Sequence, residues 1–116
     1  MALLTALAVG AGGAAGAVAR YAVGLSVGRR AVDTGLVNVF GSLLFGVAIG
    51  ADFGGAPAVA VTVGFCGAFT TFSSFAVETV RLAEDGQRLA AAGNAVGTLA
   101  AALLAVFLGI ALGAAL

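Results

Sequence analysis

Histidine is absent from this 116-residue chain, and cysteine occurs once. Cys66 alone makes no internal disulfide, and without histidine it builds no metal cluster, so the redox compartment stays open. Charge is scarce as well: five basic and five acidic residues amount to 9% of the chain and cancel, against roughly a quarter in soluble domains. Away from the ends of the apolar runs there is no Asp, Glu, His or Lys, so proton relays, acid–base pairs and nucleophile–base dyads lack their residues. An enzyme is therefore not expected, nor is a nucleic-acid partner. No basic residue precedes the first apolar run, so that run reads as a retained helix rather than a cleaved signal peptide. No internal repeat is visible, and any two-fold symmetry must come from a second chain.

What the chain has is apolar length. Hydrophobic residues make up 62%, and the mean hydropathy is +1.20. The charges leave four blocks: Met1 to Ala19 continued past Arg20 to Gly28, Thr34 to Ala51, Phe53 to Val77, and Leu89 to Leu116. Each is near or above the ~20 residues that cross ~30 Å of hydrocarbon as a helix. Continuous apolar runs without a two-residue alternation exclude barrel strands. The expectation is an all-α, multi-pass protein of the cell membrane: one four-helix domain over 1–116, with helices near 2–26, 34–51, 57–79 and 89–114. Four short helices leave little internal room, so oligomerisation should complete any pore.

One stretch breaks the pattern. Gly64-Phe65-Cys66-Gly67-Ala68-Phe69-Thr70-Thr71-Phe72-Ser73-Ser74-Phe75 is too apolar for a surface loop, yet rich in glycine and hydroxyl residues. Gly64 and Gly67 lower helix propensity, and the Thr and Ser hydroxyls compete for backbone groups, so a break in helix 3 is expected here. At bilayer depth a break marks a functional site, because its backbone groups need protein, water or an ion as partners. The plainer alternative is a helix that uses small residues to pack closely.

Elsewhere, Gly12/Gly16, Gly46/Gly50, Gly93/Gly97 and Gly109/Gly113 have the spacing of close helix approach. Arg20, the one charge inside helix 1, either snorkels to the interface or points into an aqueous vestibule. Asn38 needs a partner in an apolar helix, either across a helix interface or as a pore-lining donor, and Thr34 shares its face. Phe72 and Phe75, three apart, share a face if the segment is helical, a spacing that ordinarily means packing. Asn94 and Thr98 are the strongly polar members of helix 4, and Pro57 suits the first turn of helix 3.

Neutral donors (Thr34, Asn38, Thr70, Thr71, Ser73, Ser74), phenyl rings and one Arg form an anion-friendly set: donors replace water, and phenyl edges are electropositive. The glycine-rich start ending in Arg20-Tyr21, the Thr34-x-x-x-Asn38-x-x-Gly41 segment and the Gly64–Phe75 motif together resemble the Fluc/CrcB fluoride channels along the whole chain. The resemblance implies a dual-pore, antiparallel dimer that passes fluoride passively and rejects chloride. It implies that Phe72 and Phe75 line the path, that Asn38 is the pore asparagine, and that Ser73, Ser74, Thr34 and Thr71 add hydroxyls. It also implies Arg20 in a vestibule, and a sodium ion on the dimer axis held by the carbonyls of Gly67 and Thr70. Ser74 stands where threonine is usual and Ala68 where glycine is common. Helix 4 lacks a tyrosine that some relatives carry, which leaves its share in the pore open.

Two rivals explain less. A small proton-coupled multidrug transporter needs a membrane-embedded carboxylate that helix 1 lacks, and a non-transporting subunit of a membrane complex gives no reason for the Thr/Ser/Phe cluster. All five arginines lie within or near the first and third connections, which share one side of the membrane. The excess of arginine places both connections in the cytoplasm and both termini outside. So biased a chain seldom meets an inverted copy of itself, and pairing with an oppositely oriented homologue stands beside a homodimer. Cysteine labels at the termini should accordingly react from the outside only; equal labelling from both sides would contradict the bias.

Overall fold

The computed structural model describes residues Met1–Leu116, and its regular structure is all helix. The chain runs α1 (Ala2–Val27), α2 (Arg30–Gly50), α3 (Gly55–Val59), a π-helical segment Ala60–Cys66, α4 (Gly67–Phe69), α5 (Phe72–Glu84) and α6 (Arg88–Ala114). Four spans are long and apolar enough to cross a membrane: α1, α2, the broken span Gly55–Glu84, and α6.

Helix ends extend further into the charged connections than the apolar blocks suggest. α2 starts at Arg30 rather than Thr34, and the third span ends at Glu84 rather than near 79. Asp33 falls in the first turn of α2 and Arg81 in the last turn of α5, where each complements the helix dipole. Hydropathy marks where the hydrocarbon ends; dipole and capping decide where the helix ends. Gly28, at φ 67°, closes α1 in the left-handed conformation that costs glycine little.

The helices pack as two pairs. α2 meets α6 along a glycine seam: an added Cβ on Gly46 would strike the Val106 carbonyl, and one on Gly109 the Leu43 carbonyl. α1 meets the π-helical segment the same way, with Gly12 against the Ala60 carbonyl and Gly16 against that of Phe65. Lipid tails are as apolar as leucine, so backbone proximity of this kind supplies the packing attraction that water would otherwise drive. Gly93 and Gly97 differ from expectation: nothing lies within 4 Å of an added Cβ at either. Their side of α6 has no partner within this chain. Only 14 of 116 residues are buried, so most side chains face lipid or another protein.

The third span is interrupted twice. After the π-helical segment, Thr70 (φ −85°, ψ 162°) and Thr71 (φ −150°, ψ 117°) are extended, and the helix restarts at Phe72. The hydroxyl of Thr71 accepts from the Ser74 backbone N–H at 3.2 Å, an N-cap for α5. Gly41 of α2 makes room for the bend, since a Cβ there would strike Thr70 Cγ2.

Gly109→Ala should lower unfolding stability in detergent by about 1–3 kcal/mol, because the clash is with backbone that cannot rotate away. Gly97→Ala, meeting nothing in this chain, should change it by about 0.5 kcal/mol or less.

Candidate functional site

The break and the helix that follows it are held from three sides. Asn38 of α2 pairs its whole amide with Thr71: Nδ2 donates to the Thr71 carbonyl at 3.0 Å, and Oδ1 accepts from the Thr71 N–H at 2.7 Å. Arg20 of α1 donates from Nη2 to Ser74 Oγ at 3.0 Å. Asn94 of α6 donates to Thr79 Oγ1 at 2.9 Å. Asn38 thus supplies the two-bond pairing a neighbouring strand would give, and it spends one of its two amide hydrogens on doing so. Of the two roles open to Asn38 from its position, the interhelical one is observed, and its second N–H has no protein partner.

This pairing diverts donors from the helix. The Thr71 N–H, which in a continuous helix would bond the Gly67 carbonyl, goes to Asn38. That of Ser74, which would bond the Thr70 carbonyl, goes to the Thr71 hydroxyl. Two carbonyls at the break therefore lack their helical donors. Gly67 and Thr70 also border a small cavity of about 260 Å³ with Ser42 and Cys66.

Two larger cavities lie against Thr71. The first, about 320 Å³, is lined by Arg20, Arg30 and Arg81 with Asp33 and Glu78, and by the hydroxyl residues Thr34, Ser73 and Ser74. The second is a groove of about 560 Å³ with Asn38 and Ser42 on α2, Phe72 and Phe75 on α5, and Thr98 and Leu99 on α6. Thr71 lines both. The rings of Phe72 and Phe75 lie 5.9 Å apart at 46°, so their edges and faces are not parallel. Phe72 is 79% exposed, hence presented outward from the single chain.

The sequence-derived set therefore divides. Thr34, Ser73, Ser74 and Arg20 line the charged chamber; Asn38, Phe72 and Phe75 line the groove; Thr71 joins them. Thr98 supplies a hydroxyl from α6, and Ser42 one from α2; both carry the signal of a polar residue inside an apolar helix. Thr79 was not singled out by sequence, since a threonine near a helix end carries no such signal.

The CrcB-like protein, Camphor Resistance (CrcB), family model matches residues 7–110. The chain belongs to this CrcB-like family. It is 49% identical over 108 residues to the Fluoride-specific ion channel FluC 2 of Haloarcula marismortui, covering 91% of each chain. It is 45% identical over 120 residues to the Fluoride-specific ion channel FluC 1 of Frankia casuarinae, covering 91% of this chain and 93% of the relative. A relative in Nitrobacter winogradskyi, Fluoride-specific ion channel FluC, is 39% identical over 90% of each chain. Four spans and this family membership make the protein a multi-pass membrane protein.

Asn38→Asp should loosen the break, because an ionised carboxylate cannot donate to the Thr71 carbonyl and faces it with a lone pair. Amide hydrogen exchange over residues 70–74 should accelerate about tenfold or more, the loss of a buried, partnered donor. Unchanged exchange would mean that the pairing does not hold the break.

Proposed function

We propose that the chain forms a fluoride-selective passive channel, letting fluoride leave the cell. The carrying observation is that a cationic, hydroxyl-lined chamber and a phenylalanine-lined groove share one wall residue, the non-helical Thr71. The relatives named for fluoride conduction support the same reading. Arg20, Arg30 and Arg81 raise the local anion concentration in the chamber. Thr34, Ser73 and Ser74 then replace part of the ion's hydration shell, with the Ser74 hydroxyl oriented by Arg20. Thr71 passes the ion on to the groove. There the spare Asn38 N–H and the Thr98 hydroxyl donate, and ring edges of Phe72 and Phe75 offer positive quadrupole. Neutral donors and ring edges hold a small anion weakly enough to leave, the condition for conduction.

The exposed Phe72 and the open groove fit a second subunit in the opposite orientation, which would close the path on its free side. A copy and an inverted homologue both fit that place, and the arginine bias speaks for the homologue. The donor-deprived carbonyls of Gly67 and Thr70 suit a hard cation such as sodium, which would neutralise the carbonyl ends and brace the break.

Liposomes containing the chain and loaded with potassium fluoride should release fluoride on addition of a potassium ionophore, and chloride-loaded liposomes should not. Phe75→Ile should abolish the release. No release from the folded chain, alone and with an oppositely oriented homologue, would reject the channel. Arg20→Gln should slow fluoride release, and the deficit should shrink as inert salt rises to about 1 M, where the Debye length is about 3 Å.

A further inference from the structure

The second half of the third span is joined to α6 by a directed chain of hydrogen bonds that ion conduction as described does not use. Asn94 donates from Nδ2 to Thr79 Oγ1 at 2.9 Å, and the Thr79 hydroxyl donates to the Phe75 carbonyl at 2.8 Å. The hydroxyl has one proton, and Phe75 takes it, so toward Asn94 Thr79 can only accept. The amide must then present its nitrogen, and its orientation is set by the chain rather than by chance. Thr98, one turn beyond Asn94 and on the same face, lines the groove together with Phe75. The chain of bonds thus begins on the helix that forms one wall of the groove and ends on the backbone of the residue whose ring helps form the other.

α5 has no fully buried residue, and between apolar helix faces in hydrocarbon there is little hydrophobic drive to fix rotation. Its start is pinned at Thr71 and Ser74 by α2 and α1, but those ties lie within its first turn. Beyond that turn, the Thr79–Asn94 bond is the side-chain tie between α5 and a neighbouring helix.

We propose that Asn94, acting through Thr79, is a positioning residue that fixes the rotation of α5 and so places the Phe75 ring across the groove from Thr98. The proposal rests on the reading of Phe75 as a ring that lines the ion path.

The test uses the full chain in lipid with 4-fluorophenylalanine at position 75 and fluorine NMR of that ring, beside single-channel fluoride currents of the unlabelled proteins. Asn94→Ala and Thr79→Val should each shift or broaden the ring resonance, and the double variant should add nothing further, because both cut one chain. Asn94→Asp, nearly isosteric but without a donor when ionised, should behave as Asn94→Ala does. Thr79→Ser, which keeps the hydroxyl, should restore the parent spectrum. Unitary fluoride current should fall about fivefold in Asn94→Ala and Thr79→Val, the factor that corresponds to one hydrogen bond's net contribution. A purely structural role would reduce the number of conducting proteins and leave the unitary current at the parent value. An unshifted resonance, or an unchanged unitary current in both variants, would overturn the proposal. A parent chain that conducts no fluoride counts against the channel instead, and the ring resonance then decides the positioning role by itself.

Discussion

Two hydrogen bonds between the Asn38 side chain and the backbone of Thr71 are what the rest of this structure depends on. A membrane span must satisfy its own backbone, and a stretch of two extended residues in mid-span leaves groups that hydrocarbon cannot serve. Asn38 serves one residue of that stretch on both sides at once. The Thr71 hydroxyl caps the helix that follows, so the chain leaves the helix and returns to it within two residues. Without the asparagine both backbone groups of Thr71 would lose their partner, and the residue that the chamber and the groove share would no longer be held.

The surrounding helices serve that break in distinct ways. α1, α2 and α6 each send one polar side chain to the span's second half, at Ser74, Thr71 and Thr79. Isolated polar residues in apolar helices are costly unless partnered, and here each is partnered at a different residue of the third span. Glycine seams do the complementary work, drawing α2 onto α6 and α1 onto the π-helical segment until backbones touch. Close approach matters to the polar ties, because an asparagine side chain reaches only a few ångströms from its helix. Seam and tie are thus one arrangement: the seams bring the helices near enough for the ties to reach.

The unshared surface is informative as well. Gly93 and Gly97 lie on a side of α6 with no neighbour in this chain, and Phe72 is 79% exposed. A soluble protein would not display such features without a partner, whereas a membrane subunit can present them to lipid or to another subunit. The groove lined by Phe72, Phe75 and Thr98 includes that exposed ring.

Local composition was enough to determine the number and class of the spans, because hydropathy over about twenty residues is a property of the segment alone. The break too was legible between Gly64 and Phe75, since Gly64, Gly67 and the adjacent hydroxyls weaken a helix wherever it packs. The glycine pairs at 12/16, 46/50 and 109/113 pointed to real seams, while 93/97 had the same spacing and no partner within the chain. Spacing shows that a face is smooth, and only packing shows what lies against it. Tertiary structure decided that Arg20, Thr34, Ser73 and Ser74 line one chamber and Asn38, Phe72 and Phe75 another, and that Asn94 reaches Thr79. Those partners are 54, 33 and 15 residues apart for Arg20–Ser74, Asn38–Thr71 and Asn94–Thr79. Pairings across such distances follow from how far each helix slides and turns against its neighbours, a quantity no single segment of sequence contains.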